Sequence, residues 1–168
     1  MKKILLGCLF SLLITLHVQA QQDYTKDVQS MDAIIKALYE VISGEAGQER
    51  DWARFKFLFA KDARLIPTSK SPDSNFTFTI LTPDEYAARM ASRNPGFFEY
   101  ELSRKTDSYG TIVHIFTTYA TKQAKDGPIT NRGINSIQLL KDKNRYFILN
   151  IFWCAENLGF PLPPSYLQ

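Results

Sequence analysis

The sequence predicts an α+β fold in which N-terminal helices close a pocket against a curved antiparallel sheet. Three observations predict it. Apolar residues recur every three or four positions between Met31 and Ile42. After Gly96 the chain turns to long β-rich segments. The breaks between those segments are only a few residues long, which forces sequential strands to lie antiparallel.

In chain order, residues 1–20 have the pattern of a secretory signal. Lys2 and Lys3 supply the charge, Ile4 to Leu16 the apolar run, and Val18-Gln19-Ala20 a cleavage site before Gln21. The run is shorter than the roughly 20 residues a membrane span needs, so no span is expected after cleavage. Leu5-Leu6-Gly7-Cys8 is only superficially a lipoprotein box, because the apolar run continues past Cys8. The expected location is secreted or periplasmic.

Loss of that segment changes the charge and cysteine statements. The full chain has 20 Lys+Arg against 17 Asp+Glu, and cleavage would remove Lys2, Lys3 and no acid. What remains is nearly neutral, with Arg50, Arg54, Lys56, Lys61 and Arg64 interleaved with Glu49, Asp51 and Asp62. No basic stripe is left to track a phosphate backbone, so nucleic acid is not an expected partner. Cys154 and His114 become the sole cysteine and histidine, which rules out an internal disulfide and disfavours a metal site. No cofactor is expected.

Residues 21–29 are polar and predict a flexible leader. Ser30 caps a helix from Met31 to Ile42, whose inward stripe is Met31, Ile34, Ile35, Leu38 and Ile42. Trp52 to Phe59 predicts a second, short helix. Ala63 to Ile66 predicts a short strand stopped by Pro67, followed by a turn-rich loop from Thr68 to Asn75. Phe76 to Ile80 alternates at period two, the mark of a half-buried strand. Thr82-Pro83-Asp84-Glu85 is a capping box with proline at the first helical position, so a third helix should run to about Ser92. Phe97 to Lys105, Thr111 to Lys122, Arg132 to Leu140 and Arg145 to Ala155 are the four strands of a meander. The domain therefore spans residues 30–157, and residues 158–168 form an extended Pro-rich tail.

The last strand is apolar on both faces, so it cannot be a solvent edge. Strict alternation places Leu149, Ile151 and Trp153 inward and Ile148 and Phe152 outward. The preceding strand turns Gly133, Asn135 and Ile137 inward and Ile134 and Leu140 outward. An outer face this apolar predicts a homodimer, with the tail folding back over it as the competing account.

Three stretches, Leu58-Phe59-Ala60-Lys61-Asp62-Ala63, Arg132 to Leu139, and Arg145 through Phe152-Trp153, together with the element order resemble the nuclear-transport-factor-2-like superfamily. It includes SnoaL-like polyketide cyclases and ketosteroid isomerases. The resemblance implies a cone: a concave sheet and the first helices around a cavity. The isomerases' tyrosine falls on Tyr39, but their base falls on Pro67 and their oxyanion acid on Gly133. Neither can transfer a proton, so that mechanism is not expected here.

The expected ligand is a small apolar or amphipathic molecule. Tyr39, Asn135, Leu149, Ile151 and Trp153 are the candidate contacts, and Arg132 a candidate anion contact at the cavity mouth. Trp153 fits a core position as well as a pocket wall. Tyr39 and His114 are the candidate catalytic groups, though His114 shares a strand face with Ile112 and Phe116. Glu99 and Glu101 share one face and read as two solvated carboxylates. Cys154 reads as a small apolar filler on the face opposite Trp153. The expected function is ligand binding. A cyclase- or dehydratase-type enzyme and a dimeric interaction module with a vestigial cavity are the alternatives.

Overall fold

The computed structural model describes residues 22–167, so the signal segment 1–20, its cleavage site and Cys8 lie outside the described residues. The leader expected to be flexible is docked over its described part. Thr25–Val28 form a 3-10 turn, Val28 is buried, and Asp27 accepts hydrogen bonds of 2.7 and 3.0 Å from Arg54. One apolar anchor and one paired carboxylate suffice to hold a segment whose composition is otherwise polar.

Helix α1 (Met31–Ile42) starts where the Ser30 hydroxyl accepts from the Ala33 amide at 3.0 Å. Its predicted stripe buries Ile34, Ile35, Leu38 and Ile42. Helix α2 (Trp52–Phe57) ends earlier than expected, because Phe59 has already joined the sheet opposite Ile148. Strand β1 (Phe59–Lys70) is much longer than residues 63–66. Pro67 does not stop it: its carbonyl accepts from Thr79 N at 3.2 Å, and its neighbours carry the pairing. Strand β2 (Phe76–Phe78) is a short edge strand. Helix α3 (Pro83–Arg93) keeps the predicted capping box, with bonds of 2.8 and 3.2 Å between Thr82 and Glu85, and ends at Asn94 in the left-handed region.

The meander follows as β3 (Phe98–Tyr109), β4 (Ile112–Lys122), β5 (Ile129–Asp142) and β6 (Arg145–Ala155). The six strands form one sheet in the order β2-β1-β6-β5-β4-β3. Strand β6 is interior, as its two apolar faces required. The sheet is mixed rather than antiparallel throughout, because β1 lies parallel to β6. That pairing joins segments some 85 positions apart, which short-range turn reasoning cannot see.

A β-bulge at Leu149 overturns part of the predicted alternation. Leu139 pairs with Ile148 and Gln138 with Asn150, so Leu149 is an extra residue with no partner. The phase slips by one: Ile148 becomes fully buried and Leu149 turns outward at 39% exposed. Leu149 is therefore not a pocket residue, whereas Ile151 and Trp153 keep their inward aim.

Phe55, Leu58, Ile115, Ile137, Leu139 and Ile148 form the core between the helices and the concave face. Each such side chain contributes about 1.5–3 kcal/mol on burial. On the convex face the tail runs as a strap from one sheet edge to the other. Phe160 meets Phe76 of β2 at 5.1 Å, Tyr166 meets Phe116 of β4 edge-on at 5.5 Å, and Ser103 of β3 donates to the Tyr166 carbonyl at 2.6 Å. Among the described residues, no helix is long and apolar enough to cross a membrane.

Candidate functional site

The sheet curves away from the helices at one end and leaves a cavity of about 330 Å³. Leu38 and Ile42 of α1, Phe55 of α2, and Tyr86 and Met90 of α3 form one wall. Leu65 of β1, Ile151 and Trp153 of β6, and Tyr119 of β4 form the other. The lining is predominantly apolar with a few polar groups converging on one side, the usual character of a small-molecule site.

Those polar groups begin with Glu99. Strand β3 enters the sheet beside the end of α1, where Gly44 and Phe97 exchange backbone hydrogen bonds of 2.7 and 2.9 Å. The Ser43 hydroxyl, at the α1 C-cap, accepts from the Glu99 amide at 3.0 Å and fixes that backbone. The Glu99 carboxyl thereby reaches the cavity wall, where Asn135 Nδ2 donates to it at 3.1 Å. Burial in this apolar setting pushes Glu99 from 4.5 up to about 7, and the Asn135 bond opposes that shift. Glu99 is half-buried rather than fully solvated, because α1 packs over the start of β3 and strips part of its water. Glu101, two residues on, remains ionically paired with Arg104 at 2.6 Å.

Asn135 ties Glu99 to a chain of hydrogen bonds. Its Nδ2 also donates to the Tyr39 hydroxyl at 3.2 Å. That hydroxyl lies 3.3 Å from Thr117 Oγ1, and Thr117 donates to Glu101 at 2.6 Å. Thr117 spends its only proton on Glu101, so Tyr39 must donate to Thr117. Tyr39 thus stands behind Asn135 rather than on the cavity wall. Burial pushes its phenol up, so it orients its neighbours and keeps its proton.

Two tyrosines that sequence reasoning missed do line the cavity. Neither the Tyr86 nor the Tyr119 hydroxyl has a hydrogen-bond partner among the described residues, and burial pushes both phenols up. Tyr119 owes its position to Gly133, its cross-strand neighbour. A Cβ on Gly133 would collide with the Tyr119 hydroxyl and with the Cys154 carbonyl. Trp153 lines the cavity half-buried and meets Tyr86 edge-on at 6.5 Å. It is both core and wall.

The remaining candidates lie elsewhere. His114 is on the convex face, its Nε2 2.9 Å from Ser136 Oγ, and the sheet separates it from Glu99 and Asn135. It cannot serve a ligand in the cavity. Arg132 gives its guanidinium to Glu156 through bonds of 2.8 and 3.0 Å, so it is committed to a carboxylate away from the cavity lining. Cys154 lies against the tail, facing away from the cavity. Among the described residues, no three His, Cys, Asp or Glu side chains come together as a metal cluster. The signal that could have found Glu99 is its context, Phe97-Phe98-Glu99-Tyr100, a carboxylate embedded in an aromatic run.

No family model matches the sequence, and no curated protein does. Solved structures do match in fold. An NTF2-like protein of unknown function from Pseudomonas putida is 9% identical over 82% of this chain and 88% of its own, with a TM-score of 0.56. An NTF2-like protein from Cytophaga hutchinsonii is 12% identical over 75% of this chain and 98% of its own, at 0.54. The yeast UBP3-associated protein BRE5 is 13% identical over 74% of this chain and 92% of its own, also at 0.54. At such identities the likeness is one of fold alone.

Proposed function

We propose that this chain, which has the nuclear-transport-factor-2-like fold, is an exported protein that binds a small, largely apolar molecule between its helices and its concave sheet. The observation that carries the reading is the Glu99 carboxyl on the wall of a predominantly apolar cavity. An isolated buried carboxyl costs stability. A ligand that hydrogen-bonds it would offset that cost and be oriented by it. Asn135 holds the carboxyl by a hydrogen bond, and Tyr86 and Tyr119 line the same cavity with hydroxyls that have no partner among the described residues. Export rests on the sequence pattern of residues 1–20.

Native mass spectrometry of protein purified from its own host tests the reading. A retained small molecule is expected on the wild-type chain. It should be absent from Ala155→Trp, which fills the cavity beside Trp153, provided that variant melts like wild type. A wild-type chain that never carries a ligand, and binds no apolar probe, would sink the proposal.

A second reading has its own observation. A carboxyl poised near pH 7 suits general-base catalysis at neutral pH, in a cyclase- or dehydratase-type enzyme with Glu99 as base. Its mark would be turnover that rises with pH through about 7 and vanishes in Glu99→Gln. The interaction-module reading needed a filled cavity. Leu149 points outward and Trp153 lines the space without occupying it.

A further inference from the structure

Among the described residues, Glu99 is the sole ionisable carboxyl on the cavity wall, and no lysine, arginine or histidine shares that wall. The cations of neighbouring segments are committed. Arg50 donates to the carbonyls of Ile42, Gly44 and Pro95, and Arg104 is held by Glu101 and Asp32. The carboxyl therefore lacks a counter-ion, in a site where an unpaired charge is costly. What surrounds it instead is aromatic. Tyr86 stacks on Phe55 at 5.4 Å and stands edge-on to Trp153, while Phe97 and Tyr119 extend the ring-lined wall.

Ring faces attract cations, and a carboxylate adds a full opposite charge. A neutral hydrocarbon would leave Glu99 unpaired, and an anion would meet it as a like charge. A protonated amine satisfies both the rings and the carboxyl. We propose that the cavity selects hydrophobic organic cations, with the ligand nitrogen paired to Glu99 and the apolar body against Leu65 and Trp153. This assignment rests on the pocket reading above.

The pH dependence has one source. Facing Glu99 are Tyr39 from α1, Tyr86 from α3, Tyr119 from β4 and Asn135 from β5, with Glu101 on its own strand. Lys36 and Glu40 of α1 share the groove on its far side and are paired with each other at 2.6 Å. The three phenols stay protonated throughout the neutral range, since burial pushes all of them up, and Glu101 is already paired with Arg104. Binding a cation ionises Glu99: its proton leaves to solvent, while the amine keeps its own.

Calorimetric titration with three matched probes tests the assignment: 4-phenylbutylamine, 4-phenylbutan-1-ol and 4-phenylbutyrate, at pH 6 and pH 8. The amine should bind at least tenfold tighter than the alcohol at pH 8, with a smaller advantage at pH 6, and the carboxylate weakest of all. At pH 6, buffers of different ionisation enthalpy should reveal proton release on amine binding. In Glu99→Gln, with the native near-ultraviolet circular dichroism retained, the amine-to-alcohol ratio should fall to near one and the proton release should vanish. Alcohol and amine binding equally to wild type overturns the cation assignment and leaves the pocket standing. An amine preference that survives in Glu99→Gln overturns it as well. If none of the three binds, the pocket reading fails and this assignment fails with it.

Discussion

At the scale of single residues, Glu99 makes stability depend on pH in an unusual direction. Its carboxyl is pushed from 4.5 up to about 7, so between those values the folded chain holds a proton that the unfolded chain has released. Stability from this group is fully present below about 4.5 and is lost as pH rises through about 7. The carboxylates with lowered values, Asp23, Glu40, Asp73, Glu85 and Glu156, act in the opposite sense and at more acid pH. The melting temperature should therefore fall between pH 5 and pH 8, by an amount on the order of 1–3 kcal/mol in stability. Glu99→Gln should flatten that slope and be the more stable protein at pH 8. Thermal unfolding at half-unit pH steps measures both, and a wild-type curve that is level or rising from pH 5 to pH 8 would refute the burial argument. Asn135 was legible from alternation alone, because no bulge lies between Gly133 and Ile137. Glu99 was not: a carboxylate on a strand is solvated by default, and only the helix packed over β3 makes this one an exception.

At the scale of elements, what local chemistry dictates is what the sequence showed. The Ser30 cap, the Thr82 capping box and the α1 stripe all involve residues within four positions of one another. The parallel β1–β6 pairing and the Leu149 bulge depend on distant partners, and both escaped. Arg50 belongs with them. Its sequence neighbours suggested an interleaved surface charge, yet it is buried, with five hydrogen bonds and no carboxylate partner among the described residues. It donates to Ile42 at the end of α1 and to Asn94 at the end of α3, locking the two helices that wall the cavity. A cation at two helix C-termini is also favoured by their dipoles. Arg50→Met should cost about 2–4 kcal/mol, since it strands buried acceptors, which corresponds to a fall of roughly 5–15 °C in melting temperature. Lysine should rescue little of it, because one ammonium cannot span acceptors arranged for a planar fork. A loss below 2 °C in Arg50→Met would show that the clamp carries little of the fold.

At the scale of the whole molecule, the same sheet has two apolar faces and the chain treats them differently. The concave face meets the helices and keeps a cavity; the convex face meets the chain's own tail. The sequence indicated that β6 needed cover on both sides, and left a dimer partner and the tail as rivals for the outer one. The tail reaches from one edge strand to the other, pinned by Phe160 on Phe76 of β2 and by Ser103 of β3 on the Tyr166 carbonyl. Lys105 adds a cation over the Tyr166 ring at 4.5 Å. Beneath it lie Phe116, Ile134 and Phe152, a set that would form a contiguous apolar patch if bared. A homodimer through this face remains a proposal, and in the full-length chain its contact would centre on Ile112 and Leu149, which lie clear of the strap. Removing residues 158–168 should therefore shift the protein toward larger species in sedimentation velocity at tens of micromolar, with a lower melting temperature. Adding Phe152→Lys to the truncated chain should reverse the association without restoring the melting temperature, because a charge blocks self-contact but does not replace the strap's packing. If truncated and full-length chains sediment alike, the tail is not what keeps this face from self-association. If the full-length chain is already a dimer and Leu149→Lys dissociates it, the exposed remainder of the face is the interface.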